Sequence, residues 1–229
     1  VATVLPWLAG FVVLTIVGER LELARVGALS ASTERSVAVV ATVVFCLVPA
    51  TTLWPGVGHP LLGLAVLGLV GLLVVHDIAR RTVRSTGLPR YMAWCLLAGY
   101  VWLAVAAAIW VLVGPVGSGP AYDAVVHAVF LGFAISMIMA HAPVILPAVL
   151  GRSLPYHPRL YVPAVMLHAS LVLRLGIGDL RGLSWAVQAG GVLGVVAILT
   201  FLVMVVTALV RGRSRETPGV RRTVQEVVR

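Results

Sequence analysis

Lysine is absent, acidic residues number only eight, and charged residues together make up 11% of the 229-residue chain. A soluble domain carries roughly a quarter charged residues, so that class is excluded. Cysteine is scarce as well. Cys46 and Cys95 each lie inside an apolar run, and neither has a CxxC context. Two inert, buried thiols are the expectation. The sequence has no P-loop, Rossmann fingerprint, zincin motif or Ser-His-Asp arrangement. Eight scattered carboxylates give paired-carboxylate chemistry little to work with. No internal repeat marks an inverted-repeat transporter.

What fills the chain is apolar sequence. Hydrophobic residues account for 60% of it, and the mean hydropathy is +1.05. The fold class this implies is an all-α, polytopic bundle of transmembrane helices in contact with the lipid bilayer. Seven spans can be drawn: Leu5 to Arg25, Ser36 to Trp54, Pro60 to Arg81, Pro89 to Val113, Tyr122 to Leu150, Pro158 to Leu175 and Leu183 to Val210. Pro49 and the segment PGVGHP at Pro55–Pro60 also admit a re-entrant hairpin in place of a clean second boundary. The bundle then covers residues 1–210, and residues 211–229 form a basic, poorly ordered tail placed to lie on anionic lipid headgroups. The chain begins at Val1, which leaves room for residues upstream. The first span has no basic leader and no A-x-A site, so it reads as retained and not as a cleaved signal peptide.

All seventeen basic residues are arginine, and the net charge is +9. Arginine throughout points to a GC-rich genome. The charge is not a nucleic-acid signal, because the arginines sit at the ends of apolar spans. Seven spans gather the connections Arg20–Arg35, Arg80–Arg90 and Arg152–Arg159 and the tail from Arg211 on one side. Only Arg174 and Arg181 fall on the other. By the positive-inside rule the arginine-rich side is cytoplasmic, the N-terminus is outside and the C-terminus inside. Trp7, Trp54, Trp110 and Trp185 then mark the outer interface, and Tyr91, Trp94, Tyr156 and Tyr161 the inner one. The location implied is a cell membrane, the inner membrane of a bacterium.

The span that organises the rest is Asp123 to Pro147, because it carries His127 and His141 inside apolar sequence. At about 100° per residue, fourteen residues bring the two imidazoles back to nearly one stripe, roughly 21 Å apart. Leu131, Ala134, Ile138 and Ile145 complete that stripe. Imidazoles in lipid must find partners. Pro143 and Pro147 remove backbone donors, so a bend on the cytoplasmic side of His141 is expected. The turn GRSLPYHP makes the fifth and sixth spans antiparallel neighbours, and His141 and His168 are almost equally far from its centre at Leu154. Facing imidazoles at one depth are expected to bond each other, to share a metal ion, or to offer one axial ligand to a haem. Met137, four residues before His141, adds a thioether suited to Cu(I) or haem iron, or simply fills space. His76, His59 and His157 read as interfacial or turn histidines.

A second polar group closes the first span: Glu19, Arg20, Glu22 and Arg25, in GERLELAR. Glu22 can pair with Arg25, while Glu19 is the deepest charge and needs a partner from another helix. A structural ion-pair clamp, a proton entry point and an anchor for a cofactor's edge all fit. Gly63, Gly68 and Gly71 in the third span, and Gly190 and Gly194 in the seventh, offer small faces for close helix packing.

HAVFLGFAISMIMAHAPVILPAVL resembles the histidine-bearing helices of NnrS-type membrane proteins, within the broad neighbourhood of haem–copper oxidase subunit I-like bundles. The similarity spans about 25 residues, with GERLELAR and LPYHP as weaker echoes. It implies haem b or copper, a role in nitric oxide metabolism or stress, and His127, His141 and His168 as ligands. This chain has seven spans where about twelve are expected, and no His-His pair of the copper-binding kind, so a terminal oxidase is not implied. Three functions follow from the sequence: a haem- or metal-binding redox or sensing protein, a transporter or proton relay, and a non-catalytic membrane scaffold.

Overall fold

The computed structural model describes residues 2–26, 30–151 and 156–211, without the side chains of residues 2 and 23–26. Its long helices are α1 Leu5–Val26, α2 Ala31–Leu53, α3 Pro55–His76, α4 Gly87–Val113, α5 Gly119–Leu150, α6 Pro158–Asp179 and α7 Ser184–Arg211. There is no strand among the described residues. Six of the helices, α2 to α7, are long and apolar enough to cross a bilayer. Helix α1 is of similar length, but Glu19, Arg20 and Glu22 in its later turns set it apart from them. The chain is therefore an all-helical, multi-pass membrane protein.

Helices adjacent in sequence pack side by side, and α4 lies between α3 and α5. Leu69, Leu103, Ala107, Phe133 and Leu167 are fully buried between them. Large apolar side chains such as Phe11, Phe45, Leu112 and Val203 face outward, as a lipid solvent allows. Cys95 is buried as expected, but Cys46 is exposed on the outward face of α2.

Local chemistry sets the helix ends. The Ser30 hydroxyl accepts from the Thr33 N–H and caps α2. Gly114 and Gly151 take positive φ values, 78° and 63°, where α4 and α5 stop. The Trp7 indole donates to the Thr52 hydroxyl at 3.0 Å, tying the start of α1 to the end of α2.

The PGVGHP segment is not a turn. A single residue, Trp54, joins α2 to α3, and Pro55 occupies the first helical position, where its missing N–H is no loss. The Trp54 N–H bonds to the Ala50 carbonyl, and the Trp54 carbonyl accepts from Gly58 at 2.7 Å. Pro49 sits inside a continuous α2, and α2 and α3 are each long enough to cross a bilayer. His59 is consequently in a helix and only 7% exposed. Pro143 and Pro147 are likewise held inside α5, which stays α-helical from Ser136 to Leu150.

The glycine reading needs correction. A Cβ on Gly63 would stand 2.5 Å from the Ala107 carbonyl oxygen, and one on Gly190 2.8 Å from the Ser170 carbonyl oxygen, so these two do bring helices close. Gly194 meets the Ser170 hydroxyl. Gly68 and Gly71 have open space beyond them and bring no helix close. Gly99 and Gly132 make room instead, for Met137 and Trp102 respectively.

Two stretches depart from α-helical bonding. Helix α5 is π-helical over His127–Ile135, and α6 over Val172–Asp179. Wider turns break the count of 100° per residue, so the stripe drawn from His127 to His141 does not hold. Ile138 and Ile145 are 55% and 51% exposed. The buried face is Val129, Gly132, Phe133, Ser136 and Met137.

Candidate functional site

Ionisable side chains gather in two places along α5, one towards each end. The first is beside the Trp54–Gly114 end of the bundle. Asp123, in the first turns of α5, receives Arg174 in a bidentate pair: Nε to Oδ2 at 2.8 Å and Nη2 to Oδ1 at 2.9 Å. The third guanidinium nitrogen, Nη1, donates to the Val187 carbonyl of α7 at 3.0 Å. His127 donates its Nδ1 proton to the Asp123 carbonyl at 2.9 Å, with the Asp123 carboxylate 3.3 Å away. Asp179 interacts with the same carboxylate, and its Oδ2 is buried without a hydrogen-bond partner among the described residues.

The backbone makes this possible. Arg174 and Asp179 lie in the π-helical part of α6, and His127 opens that of α5. A Cβ on Gly190 would stand 2.7 Å from the Arg174 Cβ, and one on Gly191 3.0 Å from its Nη1. The glycine pair on α7 is the recess that holds the arginine. Two carboxylates against one permanent cation leave a net negative charge. A proton on either carboxyl neutralises it.

The second cluster lies at the arginine-rich end, where α1, α3, α4 and α5 meet. Asp77 follows α3. Its Oδ1 accepts from the Ala79 N–H at 2.8 Å and its Oδ2 from the Tyr100 hydroxyl at 2.6 Å. Arg20 of α1 acts electrostatically on both Tyr100 and His141, and Glu19 and Asp77 also act on His141. Arg20 Nε and Nη2 are buried without a partner among the described residues. Glu19, expected to need a partner from another helix, is exposed. Glu22 is exposed, and the Arg25 side chain lies outside the described residues, as do residues 212–229 of the tail.

The histidines differ in which nitrogen is free. His141 Nδ1 donates to the Met137 carbonyl at 2.6 Å, and His59 does the same to Pro55 at 3.0 Å. A carbonyl only accepts, so Nε2 of each neutral ring keeps its lone pair. His168 is the reverse. The Trp102 indole N–H donates into its Nδ1 at 2.9 Å, which puts the proton on Nε2. That Nε2 is buried without a partner among the described residues. His168 also packs edge-on to Trp94, with ring centroids 5.1 Å apart.

Among the described residues no hydrogen bond or ring contact joins His141 to His168. His168 turns to the indoles of α4, whereas His141 feels the charges of α1 and α3. His127 belongs to the opposite cluster. Met137 is buried, its methyl group where a Gly99 Cβ would be. Among the described residues no group of three or more His, Cys, Asp or Glu side chains is placed to hold a metal ion.

Sequence reasoning missed the Asp123–Arg174 pair. It ended the sixth span at Leu175 and left Arg174 to a loop. The available signal was an arginine and an aspartate five residues apart in VLRLGIGD, at the end of an apolar run. No curated protein and no solved structure matches the chain. Residues 1–210 match the model of the family described as Domain of unknown function (DUF8744), and the chain belongs to that family.

Proposed function

We propose that the protein relays protons across a cell membrane, with the two clusters as its stations. The observation that carries this reading is the placement of ionisable groups from several helices at both ends of one span, α5. The Asp123 and Asp179 carboxyls, beside His127, take up a proton at one end, and His141, beside Arg20, Glu19 and Asp77, at the other. The buried hydroxyls of Ser136 and Ser170 and the imidazole of His168 provide polar groups at intermediate depth. Intramembrane ionisable residues mark such paths by default.

In this reading α1 is a seventh span. The arginine-rich end is cytoplasmic and the N-terminus outside, supported by the arginine asymmetry. Cysteine-accessibility labelling at Ser85 and Ser118 is expected to find the two positions on opposite sides of the membrane. Labelling from one side alone rejects the seven-span arrangement.

Proton movement is tested in vesicles carrying the purified protein and an internal pH dye, with a potassium diffusion potential as driving force. Flux well above empty vesicles is expected. Asp123→Asn and His141→Ala should each lower it by at least about tenfold, within the range that positioned acid–base groups contribute. Wild-type vesicles no leakier than empty ones reject the relay.

A second reading, a haem or copper site on one imidazole, is favoured by the free Nε2 of His141. His168 does not fit as a ligand, because Trp102 fixes its proton on Nε2. Absorption and metal analysis of the purified protein decide it. A Soret band or bound copper that His141→Ala removes and His168→Ala keeps is the outcome expected of this site, and blank results in both assays reject it.

A further inference from the structure

A cavity of about 370 Å³ opens at the arginine-rich end beside the first turns of α4, lined by Thr86, Gly87, Arg90, Trp94, Tyr156 and Tyr161. Small-ligand sites have volumes of about 300 to 1,000 Å³. Neither proton cluster uses it. Its walls are fixed from behind. Tyr91, fully buried, meets Tyr161 edge-on at 5.2 Å and Tyr156 at 6.4 Å, and Trp94 packs against both Tyr161 and His168.

The polar side of the cavity carries one cation, Arg90, and the hydroxyls of Thr86, Tyr156 and Tyr161, all able to donate. Arg90 has no hydrogen bond or ion pair with a carboxylate among the described residues, and it lies close enough to act on Tyr161. The Thr86 hydroxyl is not spent on capping α4. Gly87, with φ of 69°, has open space around it. Among the described residues no carboxylate lines the space. A fork-shaped cation with hydroxyl donors matches a phosphate. The adjoining tryptophan and tyrosine rings match the apolar–polar boundary of a bilayer.

We propose that this cavity binds a phosphate, seated on Arg90, and that its carrier is an anionic lipid whose glycerol region rests on the Trp94, Tyr156 and Tyr161 rings. A soluble phosphate offers Arg90 the same chemistry, so the experiment has an arm for each. The full chain, purified in a neutral detergent, is titrated with short-chain phosphatidylglycerol, with phosphatidylcholine of the same chain length, and separately with inorganic phosphate. Tryptophan fluorescence follows binding, and Trp94→Phe identifies the local signal. Phosphatidylglycerol is expected to bind at least about tenfold more tightly than phosphatidylcholine, the scale of a charge-assisted hydrogen bond. Arg90→Gln should abolish that preference and Arg90→Lys should reduce it, while Arg159→Gln, at the same end of the bundle, leaves it unchanged. Arg90-dependent saturation by inorganic phosphate, with no preference between the lipids, also supports the site and assigns it a soluble ligand. A preference for phosphatidylglycerol or a saturation by inorganic phosphate that survives Arg90→Gln, or no binding of either phosphate source, overturns the proposal.

Discussion

Arg174→Ala is expected to be among the most damaging single substitutions in the chain. The side chain holds three hydrogen bonds, two to Asp123 and one to the Val187 carbonyl. Its removal leaves Asp123 and Asp179 facing each other with no cation between them. Breaking a buried pair from one side costs about 3–5 kcal/mol. The side chains here are 18% and 27% exposed, so the lower end, about 3 kcal/mol, is the expected loss. Arg174→Lys should recover little, because an ammonium cannot span both carboxylate oxygens and the Val187 carbonyl at once. Asp123→Ala should cost less than Arg174→Ala, because Asp179 remains to meet the guanidinium. Adding Asp179→Asn to Arg174→Ala should restore part of the loss by removing one of two opposed charges. Denaturant titration of the purified variants reads all four. Equal losses for Asp123→Ala and Arg174→Ala would show that Asp179 takes no part.

Gly190→Val is the second large effect. Even the first carbon of a new side chain would stand 2.7 Å from the Arg174 Cβ, and 2.8 Å from both the Arg174 nitrogen and the Ser170 carbonyl oxygen. Two of those three atoms are backbone and cannot rotate away, so α7 must move off α6. Overpacking of this kind costs about 1–3 kcal/mol for small intrusions. The branched side chain of valine reaches the upper end, and the shift should also pull Val187 from Arg174. Gly194→Ala is the control. Its new carbon would meet the Ser170 hydroxyl at 3.2 Å, and a hydroxyl can turn aside. Thermal unfolding in detergent is expected to separate the two variants clearly. A Gly190→Val protein as stable as Gly194→Ala would mean that the α6–α7 contact is not held by this close approach.

The ends of the helices were readable from sequence because lipid imposes a length, and glycine and charge mark where it stops. Drawn and observed boundaries of α4 to α7 agree within a few residues. Pro55 misled the reading because a proline signals a turn and a first helical position equally well. The π-helical stretches could not be foreseen. Nothing in HAVFLGFAI or VLRLGIGD distinguishes i+5 from i+4 bonding, yet that choice decides which way His127 and Arg174 point. Depth could be counted from a turn, but rotation could not. The partner of His168 was therefore missed, and Glu19, expected to need a partner from another helix, is exposed. Trp102 reaches His168 from α4 only because Gly132 of α5 leaves space for the indole.

The one-residue link at Trp54 also bears on how the chain enters the membrane. A Cβ on Gly58 would stand 2.5 Å from the Ala50 carbonyl oxygen and 2.6 Å from the Thr51 nitrogen, so the two backbones touch immediately beside the link. No loop exists there to be carried across the bilayer ahead of the second helix. On entering a bilayer α2 and α3 are expected to move as a closed helical hairpin, with Trp54 at the tip that leads.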